Sequence, residues 1–199
     1  MTIVLLVEGK TEAALKRHLK RFLDRRAEAE EHPKVALRTK DIMTLNESRL
    51  RRRIRLELCD SQVSAVIGLI DVYPRFSSAT EAKDYLRRAA DGNSGFFAHA
   101  AQYEVEAWLL PYWEAICKRV GVDRAAPGAQ PEQVDLIHPP SHRLVELYRL
   151  ARPRREYTKT IEMAAILEGE DLTIAANLCP EFKSLLNTLL RLGGLEPLP

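Results

Sequence analysis

Cysteine, glycine and long apolar runs are all scarce in this 199-residue chain, and each shortage removes a class of protein. The three cysteines, Cys59, Cys117 and Cys179, lie far apart and are odd in number. Neither a disulfide framework nor a Cys-x-x-Cys zinc site is available, and buried reduced thiols are expected. The longest apolar run near the N-terminus, residues 3–7, ends at Glu8 and is too short for a signal-peptide core or a membrane-spanning helix. A cytoplasmic protein with no membrane association is expected. With nine glycines, no Gly-x-Gly-x-x-Gly follows any candidate strand, which removes support for dinucleotide binding. Gly9-Lys10-Thr11 lacks the upstream glycine of a P-loop, and no Ser-His-Asp nucleophile elbow is present. Internal repeats and low-complexity tracts are absent too.

What is present describes one ordinary folded domain, or a domain with an appendage. Hydrophobic residues make up 46% and charged residues 29% of the chain, close to the average of globular proteins. The net charge of +2 decides little, but basic residues cluster at positions 16–26, 49–55 and 143–159. Such clusters can track phosphates on one face, or can be solvated helix faces.

Residues 2–7 form a short β-branched run that suits a strand buried on both faces. Ala14, Leu15, His18, Leu19, Phe22 and Leu23 then recur at helical spacing, with Thr11 as a candidate cap. Residues 35–37 are a second strand candidate, and Asn46 caps a basic helix with Leu50, Ile54 and Leu58 on one face. Residues 63–70 read as an interior strand ending at Asp71. A loop over 72–78, a helix over 80–90 and a strand over 96–101 follow. Val105, Trp108, Leu109, Trp113, Ile116 and Val120 mark an amphipathic helix, in which both tryptophans are expected in the core. His99 is expected to be a hydrogen-bonded core histidine, and His138 and His142 carry no assignment.

Residues 121–141 are rich in Pro, Gly and Ala. Helical patterns return at 144–150, 160–167 and 181–192. The expected fold is therefore α/β and Rossmann-like, with a mainly parallel four-stranded sheet flanked by helices. Its expected organisation is a core over 1–120, a linker or loop over 121–142, and a C-terminal helical extension over 143–199 packed on the core.

In open parallel sheets, ligands bind outside the carboxyl ends of the strands. Glu8 and Asp71 each follow a predicted strand directly. On adjacent strands, their carboxylates would face one crevice and repel unless a cation neutralised them. With no His or Cys nearby, the hard oxygen donors favour Mg²⁺ or Mn²⁺ over zinc. The competing structural role has Glu8 capping the following helix and Asp71 accepting backbone hydrogen bonds in its own turn.

Leu6-Val7-Glu8-Gly9-Lys10-Thr11-Glu12 resembles the first motif of the Toprim superfamily, and Val66-Ile67-Gly68-Leu69-Ile70-Asp71 resembles the second. Over nearly its full length the chain resembles domain-of-unknown-function family 4276, a branch of small Toprim-like proteins. That likeness rests on Asp71-Val72-Tyr73, on Tyr103-Glu104-Val105-Glu106-Ala107-Trp108-Leu109-Leu110, and on Tyr157-Thr158-Lys159-Thr160 followed by Cys179-Pro180-Glu181-Phe182.

The resemblance implies Glu8 as general base or acid and metal ligand, and Asp71 as principal metal ligand. Glu12 lies one helical turn beyond Glu8, on the same face, as a further ligand. Glu104 or Glu106 would close the acidic cluster. In a helix these two point about 200° apart, which makes them alternatives unless the backbone there is extended. Lys159 matches the lysine of Tyr-x-Lys-Thr and resembles a catalytic lysine near the scissile phosphate. Lys10, Arg75, Arg154, Arg155 and Tyr157 are the implied nucleic-acid contacts. In one departure, Tyr73 stands where the Toprim Asp-x-Asp has its second aspartate.

The implied activity is a Mg²⁺- or Mn²⁺-dependent nuclease or other phosphoryl-transfer enzyme acting on DNA or RNA, in bacterial defence or DNA maintenance, with a homodimer allowed for. The alternative is a non-catalytic partner subunit of an ATPase that binds metal or phosphate. A small-molecule phosphohydrolase stands third.

Overall fold

Strand β1 (Thr2–Val7) is buried along its whole length, because it pairs on both sides and is covered on both faces. Its neighbours are β2 (Ala36–Asp41) and β3 (Val63–Asp71), and β4 (Phe96–Ala101) adds to the far side of β3. The order is β2-β1-β3-β4 and every pairing is parallel. This computed structural model describes residues 1–42, 45–128, 130–133, 139–151, 153 and 155–199, with Lys10 and Thr11 described in their backbone alone.

The two-residue strand period divides the sheet into two cores. Val4, Leu6, Val66 and Ile70 face α2 (Glu47–Leu58) and α3 (Ala79–Ala90). Ile3, Leu5, Val7, Ile67 and Leu69 face the larger core, built with α1 (Lys10–Ala29) and the C-terminal half of the chain. That half contains a 3-10 segment, Val105–Tyr112, followed by α4 (Trp113–Val120), α5 (Pro140–Arg149), α6 (Lys159–Ile166), α7 (Leu172–Leu178) and α8 (Pro180–Leu192). The C-terminal helices therefore share one hydrophobic core with the sheet. The architecture is α/β and Rossmann-like, an all-parallel four-stranded sheet flanked by eight α-helices among the described residues. No described helix is long and apolar enough to cross a membrane.

Several local expectations change. Helix α1 begins at Lys10 with Gly9 as its N-cap, so Thr11 lies inside the first turn and does not cap it. Strand β2 runs on to Asp41, because an edge strand tolerates Arg38 and Lys40 on its exposed face. The single amphipathic helix expected from Val105 is two elements. Pro111 lacks the amide a continuous helix needs, and nearly every residue of the 3-10 segment is buried. Helix α7, only seven residues long, was not anticipated; the Asp171 side chain caps it through the Thr173 amide. Cys117 and Cys179 are buried as expected, but Cys59 is exposed at the end of α2.

Within the expected linker, the 3-10 turn Pro131–Gln133 carries a buried carboxylate. Glu132 accepts from Trp108 Nε1 at 2.9 Å and from the Glu181 amide at 3.0 Å. It thereby joins the 3-10 segment to the start of α8, whose Phe182 ring lies 4.6 Å from that of Trp108. Glu132→Ala strands both donors, and a loss of roughly 2–3 kcal/mol in urea unfolding is expected. A loss below about 0.5 kcal/mol, the range of an ordinary surface change, would contradict this role.

Candidate functional site

The carboxyl edge of the sheet gathers acidic residues from four places in the chain. Glu8 follows β1, and its neighbour Glu12 is carried round by the first turn of α1. Glu12 is 4% exposed and folds back over the helix start, held by the amides of Gly9 and of Glu12 itself. A Cβ at position 9 would sit 2.9 Å from Glu12 Oε2, which explains a glycine there. Asp71 ends β3, and its Oδ1 accepts from the Val105 amide at 3.0 Å. That bond docks the start of the 3-10 segment on the sheet.

Glu104 and Glu106 reach the same place, so they are not alternatives. Glu104 is extended, with φ −145° and ψ 155°, and Glu106 lies in the 3-10 turn that follows. The opposed directions expected of an α-helix therefore do not arise. Tyr103, just before them, has φ 67°, an uncommon conformation for a bulky residue and one often found at functional sites. Lys159, the first residue of α6, places Nζ 3.3 Å from Glu104 Oε1 and 2.9 Å from Glu106 Oε1.

The two glutamates differ in their other partners. Glu104 also accepts from the Ser141 amide at 3.0 Å and the Ser141 hydroxyl at 2.9 Å, and so anchors the start of α5. Glu106 is fully buried, and neither of its oxygens has a hydrogen-bond partner among the described residues. Its contact with Lys159 is an ion pair. On the opposite side, Arg75, in the loop after β3, forms an ion pair with Glu8. Glu8 Oε2 is buried without a partner among the described residues.

These carboxyl groups act on one another. Asp71 retains some surface, yet burial, followed by the charges of Glu12, Glu106 and Glu104, pushes its pKa well above the ordinary value. Burial also raises Glu12 and Glu106, against the pull of Lys159. For Lys159, burial alone would lower the pKa, but Glu106, Glu104 and Asp71 outweigh it and hold the ammonium above its usual value.

The other implied contacts are placed as follows. Arg154 and the side chain of Lys10 lie outside the described residues, as does His138. Arg155 donates to the Arg119 carbonyl at 2.8 Å. The Tyr157 ring packs edge-on to Tyr148 at 5.3 Å, its hydroxyl buried without a partner among the described residues. It is a wall of the acidic site, and burial followed by the Glu106 charge keeps its phenol protonated. Tyr73 is 38% exposed, on the loop beside Asp71. His99 bonds Thr188 at 3.0 Å in the core, its pKa pushed down to about 4 by burial.

Much of the positive charge in the first two basic clusters is returned to carboxylates. Arg17 and Arg21 pair with Glu168, Arg51 and Arg55 with Asp91, and Arg53 with Glu57. Sequence reasoning missed Ser141; its signal was the Pro139-Pro140-Ser141 start of a helix, where an acceptor is needed.

The acidic donors are all oxygen, the kind a hard divalent cation takes, and Glu12, Glu106 and Glu104 raise the pKa of Asp71. In the arrangement described, Arg75 stands against Glu8 and Lys159 against Glu104 and Glu106. Among the described residues no three His, Cys, Asp or Glu side chains are grouped closely enough to hold an ion.

A parallel Rossmann-like protein with a buried acidic site at the carboxyl edge of its sheet is the class that fold and geometry define. The chain belongs to the family described as Domain of unknown function (DUF4276), which it matches over residues 7–190. Every acidic and basic residue of the site lies inside that span. No curated protein and no solved structure matches the chain.

The pKa shift of Asp71 has a definite sign. Raised in the folded state, it contributes stability that is fully present below the ordinary value of 3.8 and lost as the pH climbs through the raised one. In chelator, Asp71→Asn should therefore gain in stability on the wild type as the pH rises from about 4 to 8. Parallel urea series would show a widening difference; a difference independent of pH would contradict the shift.

Proposed function

We propose that this chain is a divalent-cation-dependent phosphodiesterase of the Toprim type, acting on DNA or RNA. The observation that carries the proposal is the grouping of Glu12, Asp71, Glu104 and Glu106 at the carboxyl edge of a parallel sheet, where Glu8 also follows its strand, with Lys159 against Glu104 and Glu106 and Arg75 against Glu8. Paired buried carboxylates with unsatisfied oxygens are costly to maintain for structure alone, and phosphoryl transfer uses such a charge arrangement.

Asp71, Glu8, Glu12 and Glu106 are the carboxylates that would hold Mg²⁺ or Mn²⁺, and they would have to draw together from their present positions to do so. When bound, the cation neutralises charge at the scissile phosphate and polarises a water. Glu8, at the mouth of the site, takes or returns the proton of the attacking or leaving oxygen. Lys159 and Arg75 bind non-bridging phosphate oxygens and stabilise the charge that develops on them. Tyr73 occupies the place of the second Toprim aspartate, and a phenol is a poorer Mg²⁺ ligand than a carboxylate. Glu106 supplies the carboxylate missing there.

Tyr73 also favours a second reading, a non-catalytic partner subunit of an ATPase that retains the acidic site for cation or phosphate binding. One experiment separates the two. Purified protein incubated with single- and double-stranded DNA and RNA in Mg²⁺ or Mn²⁺ should cleave at least one of them. Asp71→Asn and Glu8→Gln should each slow cleavage about a hundredfold or more. Equal cleavage by the variants would overturn the site assignment. No cleavage of any substrate, with Mn²⁺ binding intact, would favour the partner-subunit reading.

A further inference from the structure

We propose that the cavity between α1 and residues 170–173 binds a small zwitterion of the amino-acid class, its carboxylate held by Arg25 and His18 and its ammonium by Glu170. The cavity measures about 370 Å³, room enough for one such molecule. It lies along the later part of α1, whereas the acidic edge of the sheet lies at the start of that helix. Its occupancy is therefore independent of the phosphodiesterase reading.

A buried donor points to a ligand here. His18 is 1% exposed and lines the cavity. Arg21 Nη2 lies 3.2 Å from His18 Nδ1. A guanidinium can only donate, so Nδ1 is the acceptor and the neutral ring carries its proton on Nε2. Burial and then the Arg21 charge lower the His18 pKa, which favours that neutral ring. Nε2 is buried without a partner among the described residues, and an N–H group so placed calls for an acceptor.

Two opposite charges that do not meet say what kind of ligand. Most groups around the cavity are committed elsewhere: Arg21 to Glu168 and the Leu167 carbonyl, and Arg26 to Glu30 and the Glu196 carbonyl. Thr173 gives both its amide and its hydroxyl to Asp171. Arg25 and Glu170 also line the cavity, yet among the described residues neither side chain has an ion pair or a hydrogen bond. A phosphate dianion would meet like charge at Glu170, and a simple cation would meet it at Arg25. A molecule carrying both signs satisfies the two together and brings an acceptor oxygen to His18. Phe22 and Leu172 offer its carbon atoms an apolar wall.

Calorimetric titration of the full chain with each of the common amino acids, and with acetate, methylammonium and inorganic phosphate, tests this. At least one amino acid should bind with a Kd below about 1 mM and raise the melting temperature. Acetate, methylammonium and phosphate, which each carry one sign of charge, should bind at least about tenfold more weakly. Arg25 is exposed and Glu170 half-buried, so Arg25→Gln and Glu170→Gln should fold, and each should weaken that amino acid about tenfold or more. The N-acetyl form of the same amino acid lacks the ammonium. It should bind the wild type weakly and lose nothing further in Glu170→Gln. Arg87→Gln, which removes a surface charge paired with Asp84 on α3, should bind like wild type. Failure of every amino acid to bind would overturn the proposal, as would binding that survives both cavity variants unchanged, or acetate binding as tight as the amino acid's.

Discussion

Mutual repulsion among the carboxyl groups at the carboxyl edge of the sheet is the constraint around which this end of the molecule is arranged. Asp71 is the focus, since it feels Glu12, Glu104 and Glu106 together. Like charges brought this close in a partly dry environment oppose folding unless they are protonated, paired with bases or bound to a cation. The protein uses the first two in the arrangement described. Burial and neighbouring charge favour the protonated form of Asp71, and Arg75 and Lys159 stand against Glu8 and Glu106.

Several of these acids also hold backbone in place, which is how the fold tolerates them. Asp71 accepts from Val105, Glu12 folds over Gly9, and Glu104 receives both polar groups of Ser141. Each bond satisfies an amide at or near the start of a helical element, where donors lack intrahelical partners. The chain thus reaches its acidic site from four directions, and the same contacts that gather the carboxylates lock the 3-10 segment, α1 and α5 against the sheet. Glu106 stands apart. Among the described residues its oxygens have no hydrogen bond, and its one ion pair is with Lys159.

How much of this was legible in the sequence follows from which forces were local. The strands β1, β3 and β4 announce themselves as aliphatic runs because both faces are covered, and Glu8 and Asp71 mark their ends. Asn46 as a cap is likewise a local signal, borne out by its bond from the Arg49 amide. Strand β2 was shortened because Arg38 and Lys40 look wrong for a strand until its edge position is known. The 3-10 segment was read as an amphipathic helix because its hydrophobic spacing is compatible with both. Only tertiary contact shows it buried almost all round. That misreading made Glu104 and Glu106 look like rivals. The bridge from Lys159 to these two spans more than fifty positions, and family likeness singled out the lysine without revealing its partners. The roles of Ser141 and Glu132 depend on packing between distant segments, and no periodic pattern encodes them.

The proposed chemistry requires a divalent cation at the acidic site. A crystal of the protein grown with Mn²⁺ and measured for anomalous scattering tests this most directly. The expected result is one strong peak beside Asp71 at the carboxyl edge of the sheet. An acidic site without a peak at saturating Mn²⁺ would contradict it.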